Sequence, residues 1–255
     1  SWQDSVWLPT MAETNGAMAP STPGLQRHWD STSLGELKLC PRKYQYRILE
    51  GWQPQTLSVH LTFGIAFHSA LEAYDHALAR GESFEAAQRC AVRRAMNDTW
   101  DKAKGRPWMS GDSYKNRETL VRTVVWYTEH FREDSLETLR LANGRAAVEV
   151  HFNVALPYET PKDGNFYLVG YLDKIAKLAG QPYIVDRKTT KHAIDQRYFA
   201  QYSPDNQFST YTFAGGIVFD EPIVGLICDA AQILVEGSRF SREVISRSRG
   251  EMEEW

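Results

Sequence analysis

The sequence predicts an α/β protein in which a helical N-terminal region precedes a mixed β-sheet. Apolar residues recur at helical spacing over about 31–141, and then alternate with polar residues at the two-residue period of a strand from residue 146. A further helix over about 205–214 and a strand over about 223–235 follow. Helices on both sides of the strands in sequence favour a central mixed sheet flanked by helices.

Capping and breaking residues divide the helical region into segments. The first helix begins at Ser31-Thr32-Ser33 and is interrupted at Pro41, because proline lacks the N–H and clashes with the preceding turn. Gly81 is a suitable stop for the second helix. The second, third and fourth helices are predicted over about 63–80, 84–103 and 113–141.

Three consecutive strands of the sheet are predicted before the helix over about 205–214, at 146–156, 167–178 and 183–188. The last two are separated by Gly180-Gln181-Pro182, which favours a turn and therefore a hairpin. We predict a single domain over 29–255, with a helical part over 31–141 and a sheet core over 145–235. Residues 1–28 are rich in Ser, Thr, Pro, Gly and Ala and are predicted to be a flexible arm.

Composition limits the class of protein. The chain has 255 residues and a formal net charge of -3, so binding to a polyanion would need a local basic surface. The three cysteines are widely spaced, which favours a reducing setting in the cytoplasm or elsewhere inside a cell, a phage-encoded protein included. No segment is apolar enough to predict a membrane span, so no membrane partner is expected.

Three polar residues in the predicted hairpin are the first candidates for a functional site. Asp186 and Lys188 are two apart in one strand and share a face, and pairing would bring Asp173 close to Asp186. Two carboxylates beside a lysine suit Mg²⁺, which prefers oxygen ligands. Such a cation can activate water for attack on a phosphodiester, while the lysine orients the water or stabilises the phosphate.

The alternative interpretation of the pair is a surface ion pair on a strand edge. The apolar lead-in Tyr183–Val185 argues against it, because this lead-in predicts a buried central strand. Burying Asp186 and Lys188 there costs several kcal/mol of folding free energy unless they are paired or bound to a ligand.

Four further residues have both a structural and a functional interpretation. His68 is either a core or surface histidine or a metal ligand, with Gly64 one turn earlier allowing another backbone to approach. Gln207 and Tyr211 share a helix face, as ordinary helix polarity or as contacts to the catalytic lysine, to the carboxylate that binds the metal or to the nucleic-acid backbone. Glu149 either contacts the metal ligands without binding the metal itself or lies on the exposed side of an amphipathic strand.

Taken in order, these residues form a set of motifs. Ser31-Thr32-Ser33 is followed by Cys40-Pro41-Arg42-Lys43-Tyr44, Gly64 to His68, Gly170 to Asp173, Asp186-Arg187-Lys188-Thr189 and Gln207 to Tyr211. This series, over about residues 31–235, resembles the PD-(D/E)XK nuclease superfamily, and within it the RecB-like exonuclease branch.

The resemblance implies a restriction-endonuclease-like core and a metal site formed by His68, Asp173, Asp186 and the backbone carbonyl of Arg187. It implies that Lys188 is the catalytic lysine and that Gln207 and Tyr211 support it or contact DNA. The implied activity is a Mg²⁺- or Mn²⁺-dependent deoxyribonuclease, an exonuclease in recombination, repair or phage-type DNA processing. Relatives that hold an iron–sulfur cluster use four cysteines, so no cluster is expected in this chain.

The implied substrate is DNA, as ends or single strands, with a helicase or recombination protein as a further partner. We expect phosphate contacts from a group of cations near the sheet face: Arg42, Lys43, Arg47, Arg187, Lys191 and Arg197. Two alternatives stay open at this point, a nuclease-like module that binds DNA or a partner without cutting, and a metal-dependent hydrolase of another phosphate ester.

Overall fold

The structure is a computed structural model, and it describes residues 26–54, 57–141, 143–160, 164–203, 205–219 and 223–255, without the side chains of 159 and 160. Most of the predicted arm, residues 1–25, therefore lies outside the described residues. The last residue of the predicted arm, His28, is described and belongs to a short strand.

The helices and the strands are each numbered in chain order. The helices are α1 (Ser31–Leu39), α2 (Pro41–Tyr44), α3 (Val59–Ala79), α4 (Phe84–Asp98), α5 (Arg117–His130), α6 (Gln196–Ala200), α7 (Asn206–Val218) and α8 (Arg249–Glu254), with a π-helical turn at Gln45–Leu49 after α2. The strands are β1 (His28–Trp29), β2 (Trp100–Asp101), β3 (Arg106–Pro107), β4 (Glu137–Thr138), β5 (Val148–Thr160), β6 (Gly164–Leu178), β7 (Gln181–Thr190), β8 (Gly225–Ile233) and β9 (Ser238–Ile245).

The helix boundaries follow from capping and breaking residues. Asp30 caps α1 by accepting a hydrogen bond from the Ser33 backbone N–H, and the Ser33 hydroxyl accepts one from the Asp30 N–H. Pro41 starts α2 as its first residue, so the predicted interruption is confirmed. Gly81 follows α3 with φ +83°, a left-handed conformation that favours glycine, and confirms the predicted stop.

Two predicted helices are shorter than expected, and the short strands β1 to β4 and the longer strand β9 were not predicted. The helix predicted over 84–103 ends at Asp98, and Trp100–Asp101 pairs with Arg106–Pro107 instead. The helix predicted over 113–141 covers only Arg117–His130, because Asn116 caps its start and the chain after it turns into β4. Strand β9 was not predicted; its partly exposed residues lack a clear alternation.

Seven of the described strands form one mixed sheet. Strand β6 pairs antiparallel with β5 along most of its length and with β7 near its C-terminal end, and β7 then pairs parallel with β8, which pairs antiparallel with β9. Short strands β1 and β4 add to β6. All residues of β8 are buried, which identifies it as an interior strand covered on both faces.

Each face of the sheet is covered by its own helices. Helices α3, α4 and α5 pack together and reach the sheet at Ala231 and Ile233 of β8. Helix α7 covers the opposite face, where Phe208 and Ala214 lie among apolar residues of β6, β7 and β8. The predicted α/β class, a central mixed sheet with flanking helices, is confirmed.

Candidate active site

The candidate site lies where β6 and β7 separate. The two strands form a hairpin through Ala179 and Gly180, whose φ values of +50° and +79° match the left-handed conformations of a type I′ turn. The turn therefore lies one residue before the predicted 180–182. The ladder ends at the Lys174–Val185 pair, and the next residues along it are Asp173 and Asp186.

The two strands stay connected at this point through a side chain. The Arg187 N–H donates a hydrogen bond to Asp173 Oδ2 at 2.9 Å. The hairpin thus brings Asp173 into contact with the backbone of the segment that carries Asp186 and Lys188, as predicted from the sequence.

Helix α3 adds His68 to the site. His68 Nδ1 lies 3.1 Å from Asp173 Oδ2, and the imidazole remains 30% exposed. Gly64 precedes His68 by one turn, but the expectation that it allows a close backbone approach is wrong. A Cβ on Gly64 would meet the Thr189 side chain at 3.9 Å, an ordinary contact distance.

Glu149 enters the site through an unusual backbone conformation. Its φ is +49°, in the left-handed region that a non-glycine residue rarely adopts and that costs about 1–3 kcal/mol where it persists. One ligand atom each from His68, Glu149 and Asp173 lies within 4.8 Å of the others. Of the two interpretations that the sequence left open for Glu149, the structure favours membership of the site over an exposed strand position.

Asp186 and Lys188 form a pair on the face covered by α7. Lys188 Nζ lies 2.7 Å from Asp186 Oδ2 and donates to Gln207 Oε1 at 2.6 Å. Gln207 Nε2 in turn donates to the Tyr211 hydroxyl at 2.8 Å. Gln207 and Tyr211 are therefore joined to the lysine, as one of their two interpretations anticipated.

Burial and charge set the protonation of the cluster. Burial raises the pKa of the Glu149 carboxyl to about 7, and the charge of Asp173 adds to the shift. Burial raises the pKa of Asp186, an effect that Lys188 only partly offsets. Burial acts against the charged forms of His68 and Asp173 too, but their mutual attraction outweighs it, so the pKa of His68 is raised and that of Asp173 is lowered.

The donor set fits a divalent cation. Carboxylate oxygens and an imidazole nitrogen are suitable ligands, and three of the groups already converge. Asp186 Oδ1 is buried and has no hydrogen-bond partner among the described residues, although a buried anionic oxygen normally needs one. A cation next to this oxygen would satisfy it.

The opposite face of β7 carries an ion network centred on Asp75. The Arg187 guanidinium binds Asp75 Oδ2 at 2.7 Å, and Lys174 Nζ binds Asp75 Oδ1 at 2.9 Å, with all three side chains buried. The prediction that the Arg187 side chain contacts phosphate is wrong, because the guanidinium is 4% exposed and forms an ion pair with Asp75 of α3. Sequence reasoning missed Asp75, although it lies seven residues after His68 and hence on the same side of the helix.

The other predicted phosphate contacts differ in availability. Lys43 and Arg47 both bind Glu36, and Arg42 lies over the Tyr46 ring at 4.7 Å. Lys191 and Arg197 are exposed, and neither has an ion pair among the residues that the structure describes.

Two motif residues outside the cluster have packing roles. A Cβ on Gly170 would lie 2.7 Å from the Phe152 ring, so only glycine fits opposite this ring on β5. The Tyr44 ring stacks on Trp29 with centroids 5.6 Å apart, and its hydroxyl donates to Gln26. These motif positions therefore shape the supports of the site and not its chemistry.

A mixed sheet that presents a carboxylate–histidine cluster beside a half-buried lysine is the arrangement of a metal-dependent hydrolase. A model of the PD-(D/E)XK nuclease superfamily matches residues 29–219, and the chain therefore belongs to this superfamily of metal-dependent nucleases, whose core is restriction-endonuclease-like. A search of curated proteins gave no match. Within the described part of the chain, no helix has the length and apolar character needed to cross a bilayer.

Proposed function

We propose that this protein is a Mg²⁺- or Mn²⁺-dependent deoxyribonuclease of the RecB-like branch, an exonuclease that acts at DNA ends in recombination, repair or phage-type DNA processing. The observation that carries the proposal is the buried, incompletely paired Asp186 beside Lys188 and the cluster of His68, Glu149 and Asp173. The order of motifs from Cys40 to Tyr211 supports the RecB-like branch.

The proposed ligands are His68, Asp173, Asp186 and the Arg187 backbone carbonyl, and Glu149 joins them as a candidate. When bound, the cation would lower the pKa of water and neutralise charge on the phosphate. The chain holds the ligands ready for it. The Arg187 N–H keeps one Asp173 oxygen in place, and His68 approaches the same oxygen from α3.

Lys188 is the proposed catalytic lysine. An ammonium group has three N–H donors, and Asp186 and Gln207 account for two of them. The third can donate to the attacking water or to a phosphate oxygen. The pKa of Lys188 is raised by Asp186 in spite of burial, so the group keeps its proton and acts as a fixed positive charge.

Cleavage of labelled DNA tests this proposal directly. Linear and circular substrates, single- and double-stranded, are incubated with Mg²⁺, Mn²⁺ or EDTA. We expect cleavage that needs a metal and free ends, and a loss of about 10²-fold or more in Lys188→Ala and Asp186→Asn. An Arg93→Ala variant on the exposed surface of α4 should cut like the wild type.

Other outcomes assign other functions. Cleavage of circular DNA would contradict the exonuclease assignment, and full activity in Lys188→Ala would contradict the assigned site. Binding of DNA with no cleavage under any metal would replace the proposal with a non-cleaving nuclease-like module.

A further inference from the structure

A groove of about 530 Å³ opens at the C-terminal end of β7, next to the proposed catalytic lysine. Tyrosine rings, one cation and several groups that can form hydrogen bonds line it. The lining residues are Thr189, Thr190, His192, Ala193, Asp195, Arg197, Tyr198, Gln201 and Tyr202.

The groove lies close to the candidate active site. Thr190 follows Lys188 by two residues in β7, so both lie on the face that α7 covers. The Tyr202 ring stacks on Phe208 with centroids 4.9 Å apart and an angle of 14°. Lys188 Nζ lies 6.0 Å from the centre of the same Phe208 ring, so one side chain joins the groove wall to the lysine.

The lining has the chemistry that a nucleotide requires. Tyr198 offers a half-buried ring, and its hydroxyl accepts a hydrogen bond from Tyr202 at 3.1 Å, which limits the movement of both rings. Arg197 is exposed and has no ion pair among the described residues. The acidic residue of the lining, Asp195, caps α6 by accepting a hydrogen bond from the Tyr198 N–H, and it has no ion pair with Arg197 among the described residues.

We propose that this groove binds one nucleotide of the substrate strand beside the scissile phosphodiester, with the base on Tyr198 and the adjoining phosphate on Arg197. The inference rests on the proposed nuclease function, which places a nucleic-acid strand at Lys188. An internal base of a duplex has both faces covered by its neighbours and cannot lie against a tyrosine ring, so the groove favours an unpaired strand. Single-stranded DNA should therefore bind more tightly than blunt duplex DNA.

The test is the binding of a fluorescent oligothymidylate and of a blunt labelled duplex, measured by anisotropy in EDTA so that no cleavage occurs. We expect Tyr198→Ala and Arg197→Ala to weaken binding of the single strand about tenfold, the scale of one lost stacking or phosphate contact. Tyr198→Phe keeps the ring and should bind like the wild type. Tyr158→Ala and Arg93→Ala remove an exposed tyrosine and an exposed arginine elsewhere and should have no effect.

Single-strand binding that is unchanged in both Tyr198→Ala and Arg197→Ala would overturn the inference, as would equal loss in Tyr198→Phe and Tyr198→Ala. Circular dichroism of each variant shows whether it is folded, and the surface variant Arg197→Ala decides the matter if Tyr198→Ala is not. The outcome is separable from the proposed function. Binding that depends on the groove without cleavage in Mg²⁺ or Mn²⁺ would reject the nuclease and keep the groove, whereas cleavage with groove-independent binding would do the reverse.

Discussion

The two faces of strand β7 differ in how completely the oxygens of their buried carboxylates are paired. On the face toward α3, Arg187 and Lys174 share the carboxylate of Asp75, and both oxygens of that carboxylate have a cationic partner. On the face toward α7, Asp186 pairs with Lys188 through one oxygen and leaves the other without a hydrogen bond among the described residues.

This difference separates a structural network from a functional one. Removing charges from water costs several kcal/mol per ion, and a network in which every charge is paired recovers much of that cost. A carboxylate left incompletely paired recovers less, and such groups concentrate where a protein binds or reacts. The same strand therefore anchors α3 with Arg187 and presents the candidate site with its neighbours.

Asp75→Asn should produce the largest loss of stability. It leaves Arg187 and Lys174 buried without an anion, and breaking a buried pair in this way costs about 3–5 kcal/mol. Urea denaturation of wild type and variant measures the free energy of unfolding. Glu85→Gln is the control, because Glu85 pairs with Arg132 on the exposed surface, where water screens the pair, and its loss should leave the free energy of unfolding nearly unchanged. A cost for Asp75→Asn no larger than that of the control would remove the distinction between the two faces.

Alanine substitutions at Gly170 and Gly64 should change the free energy of unfolding in opposite directions. Gly170→Ala forces the Phe152 ring to move and should destabilise the fold by about 1–3 kcal/mol. Gly64→Ala meets only the Thr189 side chain at contact distance and should stabilise α3 by about 0.5–1 kcal/mol. Equal effects of the two substitutions would show that the packing around Phe152 has been assigned wrongly.

Glu149→Gln should have a small effect that depends on pH in metal-free protein. The pKa of Glu149 is about 7 in the fold against an ordinary value of 4.5, so the fold favours the protonated form. The stability that this gives is complete below the ordinary pKa and is lost as the pH rises through 7. The variant does not ionise, so its unfolding free energy should rise relative to wild type by about 1–2 kcal/mol from about pH 5 to about pH 8, after allowance for solvent screening.

Thermal or urea unfolding in EDTA at several pH values checks this prediction. A difference between variant and wild type that stays constant with pH would mean that Glu149 is ionised throughout and is not held in a desolvated cluster.

The sequence predicted the longer helices, the four strands β5 to β8 and most of the side chains that meet in the candidate site, but not β9 or the short elements. Alternation in β7 placed Asp186 and Lys188 on one face, and the turn before it placed Asp173 nearby, because both depend on local geometry. The sequence did not predict the left-handed backbone of Glu149. Nor did it predict the ion pair with Asp75 that holds the Arg187 side chain on the face of β7 opposite Asp186 and Lys188, because that pair joins residues 112 positions apart.

Binding of Mn²⁺ measured by calorimetry tests most directly the claim that the incompletely paired charges form a cation site. Wild type should bind Mn²⁺, and Asp173→Asn should lose most of that affinity, because Asp173 links His68 to β7. Asp134→Asn, a carboxylate in an ion pair with Arg242 away from the cluster, should bind like the wild type. Equal affinity in wild type and Asp173→Asn, or no binding by wild type, would contradict the account.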